Sequence, residues 1–286
     1  YIEYEEGSDE PLRNFERMVE RIERYPGVEA VAVSSYSLPY TYSMSMNGLW
    51  RDTTTRADAR MMQVTSGFFK VFDLHGVSGE TPEVLAERLS TYDDKRITLS
   101  VRLARKLFGR TNVIGDSLRL GRESETVLRI AAVTEPVRSD EYDEERYMMA
   151  FMKFDYAERA VEHKWAEKNF AQMQIIFRVR PEADAPDYAE RFEQEMKRQL
   201  QAGNLWVSGI NSYAKIRADY LAHSDETTIR KLYTALGTFF LVNVFLAVIG
   251  TFWFRVNRRM GEIGLRMAMG SSRSGVRRLM TGEGLM

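Results

Sequence analysis

One run of the chain shows no alternation of apolar and charged positions. Residues 232–254 (LYTALGTFFLVNVFLAVIGTFWF) are 23 positions without a formal charge. As a helix they reach about 34 Å, enough to cross a hydrocarbon core of about 30 Å with some tilt. Tyr233 and Trp253 stand near its two ends, where interfacial aromatics belong. The pattern predicts a membrane helix over 226–256 rather than a buried core helix of a soluble protein.

Upstream the periods are shorter. Leu12, Phe15, Val19 and Ile22 mark one face of a helix that starts at Asp9-Glu10-Pro11, with Asp9 as the expected cap, and ends at Pro26-Gly27. Strands are predicted at 28–34 (VEAVAVS), 60–64 (RMMQV), 127–133 (VLRIAAV), 174–179 (QIIFRV) and 204–208 (NLWVS), with a further short one bracketed by Gly115 and Gly121. The 115–133 part reads as hairpin-like. Helical spacing recurs in 99–108, closed by Gly109, and in Tyr188, Phe192, Met196 and Leu200, stopped by Gly203. Residues 213–220 lead into the membrane helix. The phenylalanines of 66–72 are expected in the core, and 36–47, rich in Tyr, Ser and Met, as a partly ordered surface loop.

Helix–strand at the start and strand–helix–strand at the end predict an α+β class. Two halves of one extracytoplasmic lobe, 1–76 and 172–225, would flank an inserted β-rich lobe at 77–171. The membrane helix (226–256), a short cytoplasmic amphipathic helix within 257–275 and the start of another membrane helix at 276–286 would follow.

Charge sets the orientation. After the span come Arg255, Arg258, Arg259, Arg266, Arg273, Arg277 and Arg278 against only Glu262 and Glu283, while the other residues together are net negative. Short arginine-rich flanks stay cytoplasmic, so residues 1–225 are expected on the opposite side. The same flank is expected to touch anionic lipid. Within the span Asn243 is the one strongly polar side chain. It could bond another membrane helix or its own backbone, and Gly237 and Gly250 would allow close helix approach.

Glu262 and Arg266 lie i,i+4 with the acid first, the favourable order. Met260, Ile263 and Met267, with Gly270 or Ser271 a turn on, share one face of an amphipathic helix able to lie against a partner. This stretch, Arg259, Glu262-Ile263-Gly264, Arg266, Ala268 and Gly270, resembles the R-x-x-E-I-G-x-x-x-A-x-G-A segment of FtsX/MacB-like ABC transporter permeases. Ser271 stands where that family more often has Ala. Two upstream pieces resemble the same family: V-x-x-x-F-F at 64–69, and A-x-x-L-F-G followed by N-x-I-G at 104–115.

The resemblance implies a porter-like extracytoplasmic domain with an inserted lobe, and a short helix after the second membrane helix that docks on an ABC ATPase subunit. It implies that ATP is hydrolysed on that partner, that permeases pair, as a homodimer or with a second permease, and that an extracytoplasmic or outer-membrane protein can be a further partner. It places a membrane helix just before Tyr1, so the chain is expected to be part of a longer inner-membrane protein.

Enzyme chemistry finds little support in the residues. Cysteine is absent, and His75, His163 and His223 lack any H-x-x-x-H or H-E-x-x-H spacing. The 270–275 stretch has the first spacing of a phosphate loop but Val276-Arg277 where Lys-Ser/Thr is needed. The acidic run 140–145 lacks the spaced ligands and Gly of a calcium loop. No cofactor, metal or nucleic-acid partner is expected. The rival readings are a single-span receptor, whose heptad linker Gly261, Gly264, Gly270 and Gly275 would break, and a tethered enzyme without a catalytic constellation.

Overall fold

The protein is seen here in a computed structural model, which describes every residue except 1, 6–9, 36, 42–43, 94, 123–124, 140–147, 158–169, 171–172, 208, 224, 276–277 and 279–286. Two units are distinct, residues 1–220 and 221–286.

In the first unit the strands are β1 (Ile2–Tyr4), β2 (Val28–Ser35), β3 (Met46–Trp50), β4 (Arg56–Val64), β5 (Arg96–Ser100), β6 (Ser117–Leu120), β7 (Val127–Thr134), β8 (Met149–Lys153), β9 (Met173–Val179), β10 (Gln201–Ala202) and β11 (Leu205–Val207). The helices are α1 (Pro11–Glu23), α2 (Phe68–Val71), α3 (Pro82–Ser90), α4 (Val101–Phe108), α5 (Tyr188–Met196) and α6 (Tyr213–His223).

Eight strands join in the order β3-β6-β7-β5-β8-β4-β2-β9, and β3 also pairs with β4. Six strands therefore close into a ring, β3-β6-β7-β5-β8-β4, from which β2 and β9 extend. The period of two assigns each side chain to inside or outside. Leu49, Ala57, Ala59, Met61, Ile97, Leu99, Leu118, Leu128, Ile130 and Ala150 form one buried cluster, the interior, and α4 adds Leu103, Ala104 and Leu107 to it. The neighbours Met62, Val64, Ala132, Met149 and Phe151 face the other way, onto Phe68 and Phe69 of α2 and Leu85 and Leu89 of α3. Parallel pairing of β4 with β8 keeps the two sets apart, since Met61 pairs with Ala150 and Met62 with Phe151.

The opposite face of β2 and β9 is covered by α1, through Phe15, Met18 and Val19, and by α5, through Phe192 and Met196. A three-stranded sheet, β1-β11-β10, completes this layer. Its register pairs Ile2 with Val207 and so ties residues 205 positions apart. Gly203 takes φ 57° in the β10–β11 turn, against the Asn14 amide. Strands of the expected insert and of its flanking halves thus share one hydrogen-bonded sheet.

Several local expectations need correction. Leu99 is not helical: it lies in β5 with its side chain in the interior cluster, and Ser100 caps α4 by accepting the Leu103 N–H at 3.4 Å. The 36–47 stretch is not simply a surface loop. Tyr40 is buried at positive φ with its ring against Tyr213 and Tyr220, and β3 begins at Met46. The helix at Pro11 starts without a side-chain cap from Glu10, and Asp9 lies outside the described residues. The acidic run 140–145 and His163 also lie outside them. Among the described elements, β1, β3, β5, β8, β10, α2 and α3 were not anticipated.

Candidate functional site

The second unit holds α7 (Asp225–Arg258) and α8 (Met260–Ala268). The stretch 228–258 is 31 helical residues, apolar enough and long enough to cross a membrane, and it is bare of protein along its length. Between residues 234 and 251 the threonine hydroxyls and the Asn243 amide turn inward. Thr234, Thr238 and Thr251 donate to carbonyls one turn back, and Asn243 Nδ2 donates to the Phe239 carbonyl at 2.8 Å. Such bonds are what a polar side chain needs to sit in hydrocarbon without a partner helix. Gly237 and Gly250 have open space where a Cβ would be.

The helix does not run on unbroken. Arg259 has φ −105° and ψ 11°, outside the helical range, and its N–H bonds Val256 O at 3.1 Å in a tighter turn. Its own carbonyl then accepts from Ile263 N–H and opens α8. Glu262 sits in the first turn, where the helix dipole favours an acid, and Arg266 in the last. The two are ion-paired at 2.7 Å.

The end of α8 is equally defined. Gly270 takes φ 96°, its N–H bonds Met267 O, and Ser271 N–H bonds Arg266 O. That pair of bonds is a Schellman motif, which requires a left-handed residue at the Gly270 position. Glycine adopts that conformation without steric cost.

Of the expected docking residues, then, Glu262 and Arg266 meet, while Arg259 and Gly270 delimit the helix. Ile263 is half-buried, and Gly264 and Ala268 lie exposed on the surface. Leu265 and Met269, outside the expected set, are 63 % and 75 % exposed. With Met260 and Met267 they make α8 apolar on more than one side. Of 276–286, only Arg278 is described.

In the first unit a cleft of about 770 Å³ runs between α1, β2 and α3, lined by Glu23, Glu29, Lys70, Glu83, Glu87 and Tyr156 among others. Among the described residues no three His, Cys, Asp or Glu side chains converge as a metal site.

The family profile of the MacB-like periplasmic core domain matches residues 4–195. The chain belongs to this family. It is a component of an FtsX/MacB-like transporter permease, an inner-membrane protein with an extracytoplasmic α+β domain followed by an apolar helix long enough to span. No curated protein matches it.

Among solved structures, it is similar to a domain of a putative permease from Porphyromonas gingivalis (16 % identity, 68 % of this chain and 77 % of that one, TM-score 0.44). It is similar to the extracellular domain of the noncanonic ABC-type transporter YknZ from Gram-positive bacteria (16 %, 74 % and 98 %, TM-score 0.42). A third likeness is to the periplasmic region of MacB from Actinobacillus actinomycetemcomitans (9 %, 78 % and 92 %, TM-score 0.45).

Proposed function

We propose that this chain is the permease subunit of an ABC-type mechanotransmission system, in which α8 docks on a partner ATPase. The observation that carries the reading is the form of α8. It is a short, exposed, apolar helix, set off by a break at Arg259 and a Schellman stop at Gly270, directly after a membrane-length helix. ATP-driven approach of two ATPase subunits would displace α8. The sole covalent route from α8 to residues 1–220 is α7, so movement would reach the extracytoplasmic domain along it.

In this reading Glu262, Ile263, Gly264, Arg266 and Ala268 contact the ATPase, and Arg259 and Gly270 fix the ends of the docking helix. Residues 1–76 and 172–225 form the porter-like lobe and 77–171 the inserted one. Gly237, Asn243 and Gly250 pack against a neighbouring membrane helix, and two permeases stand together in anionic lipid. The output is movement of the outer domain, delivered to efflux, to lipoprotein release or to an outside partner.

The test is co-purification of the full-length protein from detergent-solubilised membranes, with bound ATPase activity assayed for wild type and Glu262→Arg. Activity that travels with the wild type and is lost from the folded variant supports the reading. Absence of any associated ATPase in both detergent and lipid nanodiscs would move the assignment to a single-span receptor.

A further inference from the structure

Outside the β-ring, α2 and α3 cover Met62, Met149, Phe151 and, on β7, Ala132. Arg96, Ser117, Arg119, Val127 and Arg129, on β5, β6 and the first half of β7, are exposed, and the register brings distant residues into rows there. One row crosses four strands: Val127 of β7 beside Arg119 of β6, Arg119 beside Trp50 of β3, and Trp50 beside Arg56 of β4. The next row sets Arg96 of β5 beside Arg129 of β7 and Arg129 beside Ser117 of β6. All these positions point away from the interior cluster, because Leu49, Ala57, Ile97, Leu118 and Leu128 between them point into it.

Two features of this face cost stability and gain nothing visible within the chain. Arg96 and Arg129 are like charges directly across a pair of strands, an unfavourable arrangement. Among the described residues Arg96 has an ion-pair contact with Asp93, at 3.9 Å. Val127 and Met46 leave 45 % and 48 % of their surface exposed on the same face. Two guanidinium groups lie over the Trp50 ring, that of Arg56 at 5.5 Å and that of Arg122 at 5.8 Å from its centroid. Asp58 is already paired with Arg56.

We infer that this face binds the acidic surface of another extracytoplasmic protein. Tryptophan, methionine and arginine together are enriched in protein interfaces relative to an ordinary solvated surface. Arginine's planar fork takes carboxylates in pairs, and a carboxylate between Arg96 and Arg129 would remove their repulsion. The inference deepens the outside-partner part of the function proposed above, and it stands independently of ATPase docking.

The test uses the full-length protein in detergent, with a fluorescein-labelled decaglutamate peptide as probe and phosphatidylglycerol vesicles as the competing surface. Arg119→Glu with Arg129→Glu is expected to weaken peptide binding by roughly tenfold or more. Arg105→Glu with Lys106→Glu, the same charge change on exposed α4 positions, is expected to leave it within about twofold. Arg129→Glu alone, now opposite Arg96, is expected to raise the melting temperature while weakening the peptide, which also shows that the variant folds. Equal loss from both double variants would reduce the face to diffuse charge and overturn the inference. So would no peptide binding at all, or binding of the vesicles through the same arginines without binding of the peptide.

Discussion

Gly67 lies against the carbonyl oxygen of Val31 so closely that a Cβ on Gly67 would overlap it. This contact lets the chain leave β4, turn at Thr65 and enter α2 beside the β2 backbone, with Thr65 exchanging hydrogen bonds with Val33 on the way. Gly67 has an ordinary helical φ, so its requirement is space and not backbone freedom. Gly67→Ala is expected to cost about 1–3 kcal/mol in urea unfolding, as overpacking does. Gly209→Ala, where a Cβ meets nothing within 4 Å, is expected to be near neutral. Equal midpoints for the two variants would refute the close approach.

The ring of Phe151 is fully buried and lies 5.5 Å from the ring of Phe69 and 6.0 Å from that of Phe68. Phe151→Ala should therefore cost about 3–5 kcal/mol, the range for a deleted core aromatic. Calorimetric melting of the variant beside the wild type measures it. A loss below about 1 kcal/mol would mean that β8 does not pack against α2 as described.

Ser100 has two tasks in one hydroxyl. Its Oγ accepts the Leu103 N–H at the start of α4 and the Met149 N–H of β8, at 3.4 Å and 2.9 Å. Ser100→Ala leaves both buried donors short of an acceptor and is expected to destabilise by about 1–3 kcal/mol. Hydrogen exchange should accelerate at the Met149 amide in particular, and unchanged protection there would count against the dual role.

The Glu262–Arg266 pair is about half exposed on each side. An exposed helical i,i+4 pair is worth about 0.3–0.5 kcal/mol. Glu262→Gln is thus expected to leave the melting temperature almost unchanged while reducing ATPase co-purification. Loss of fold together with loss of ATPase would deny Glu262 a docking role of its own.

Alkaline pH should weaken the extracytoplasmic unit. Burial, aided by Glu16 and Glu23, pushes the Tyr156 hydroxyl up to about 12. Tyr25 is likewise pushed up to about 12, by burial and then by its hydrogen bond to Glu195. In the unfolded chain both titrate near 10. The folded form therefore holds these protons more tightly, and their contribution is complete below about pH 10 and is lost as pH rises toward 12. Urea midpoints between pH 8 and 11.5 should fall, and less steeply for Tyr156→Phe. An identical slope in that variant would remove Tyr156 from the account.

The membrane-length helix and the short helix α8 after it were legible without a structure because their signals are local. An uncharged run of 23 residues, an acid and a base four apart and a glycine at the stop each act within a few turns of backbone. The apolar faces of α1 and α5 were legible for the same reason, through Phe15 and Val19 and through Tyr188 and Phe192. Strand β3 was not, because Asn47 and Gly48 are poor strand formers and the strand is held by pairing with β4 and β6. Leu99 was misassigned because its apolar spacing continues into α4, and pairing with Val133 on one side and Ala150 on the other makes it a strand residue.

The sequence by itself determined where the chain can cross a membrane, which end stays with the arginines, and which family its motifs resemble. Tertiary structure alone decided that six strands close into a ring, that the amide of Asn243 turns back on its own helix, and that Arg96, Arg129, Arg119 and Trp50 share one open face. The physical reason is range. Helix period and charge act between near neighbours in the chain, whereas strand register also pairs residues as far apart as Ile2 and Val207, and no local pattern encodes that.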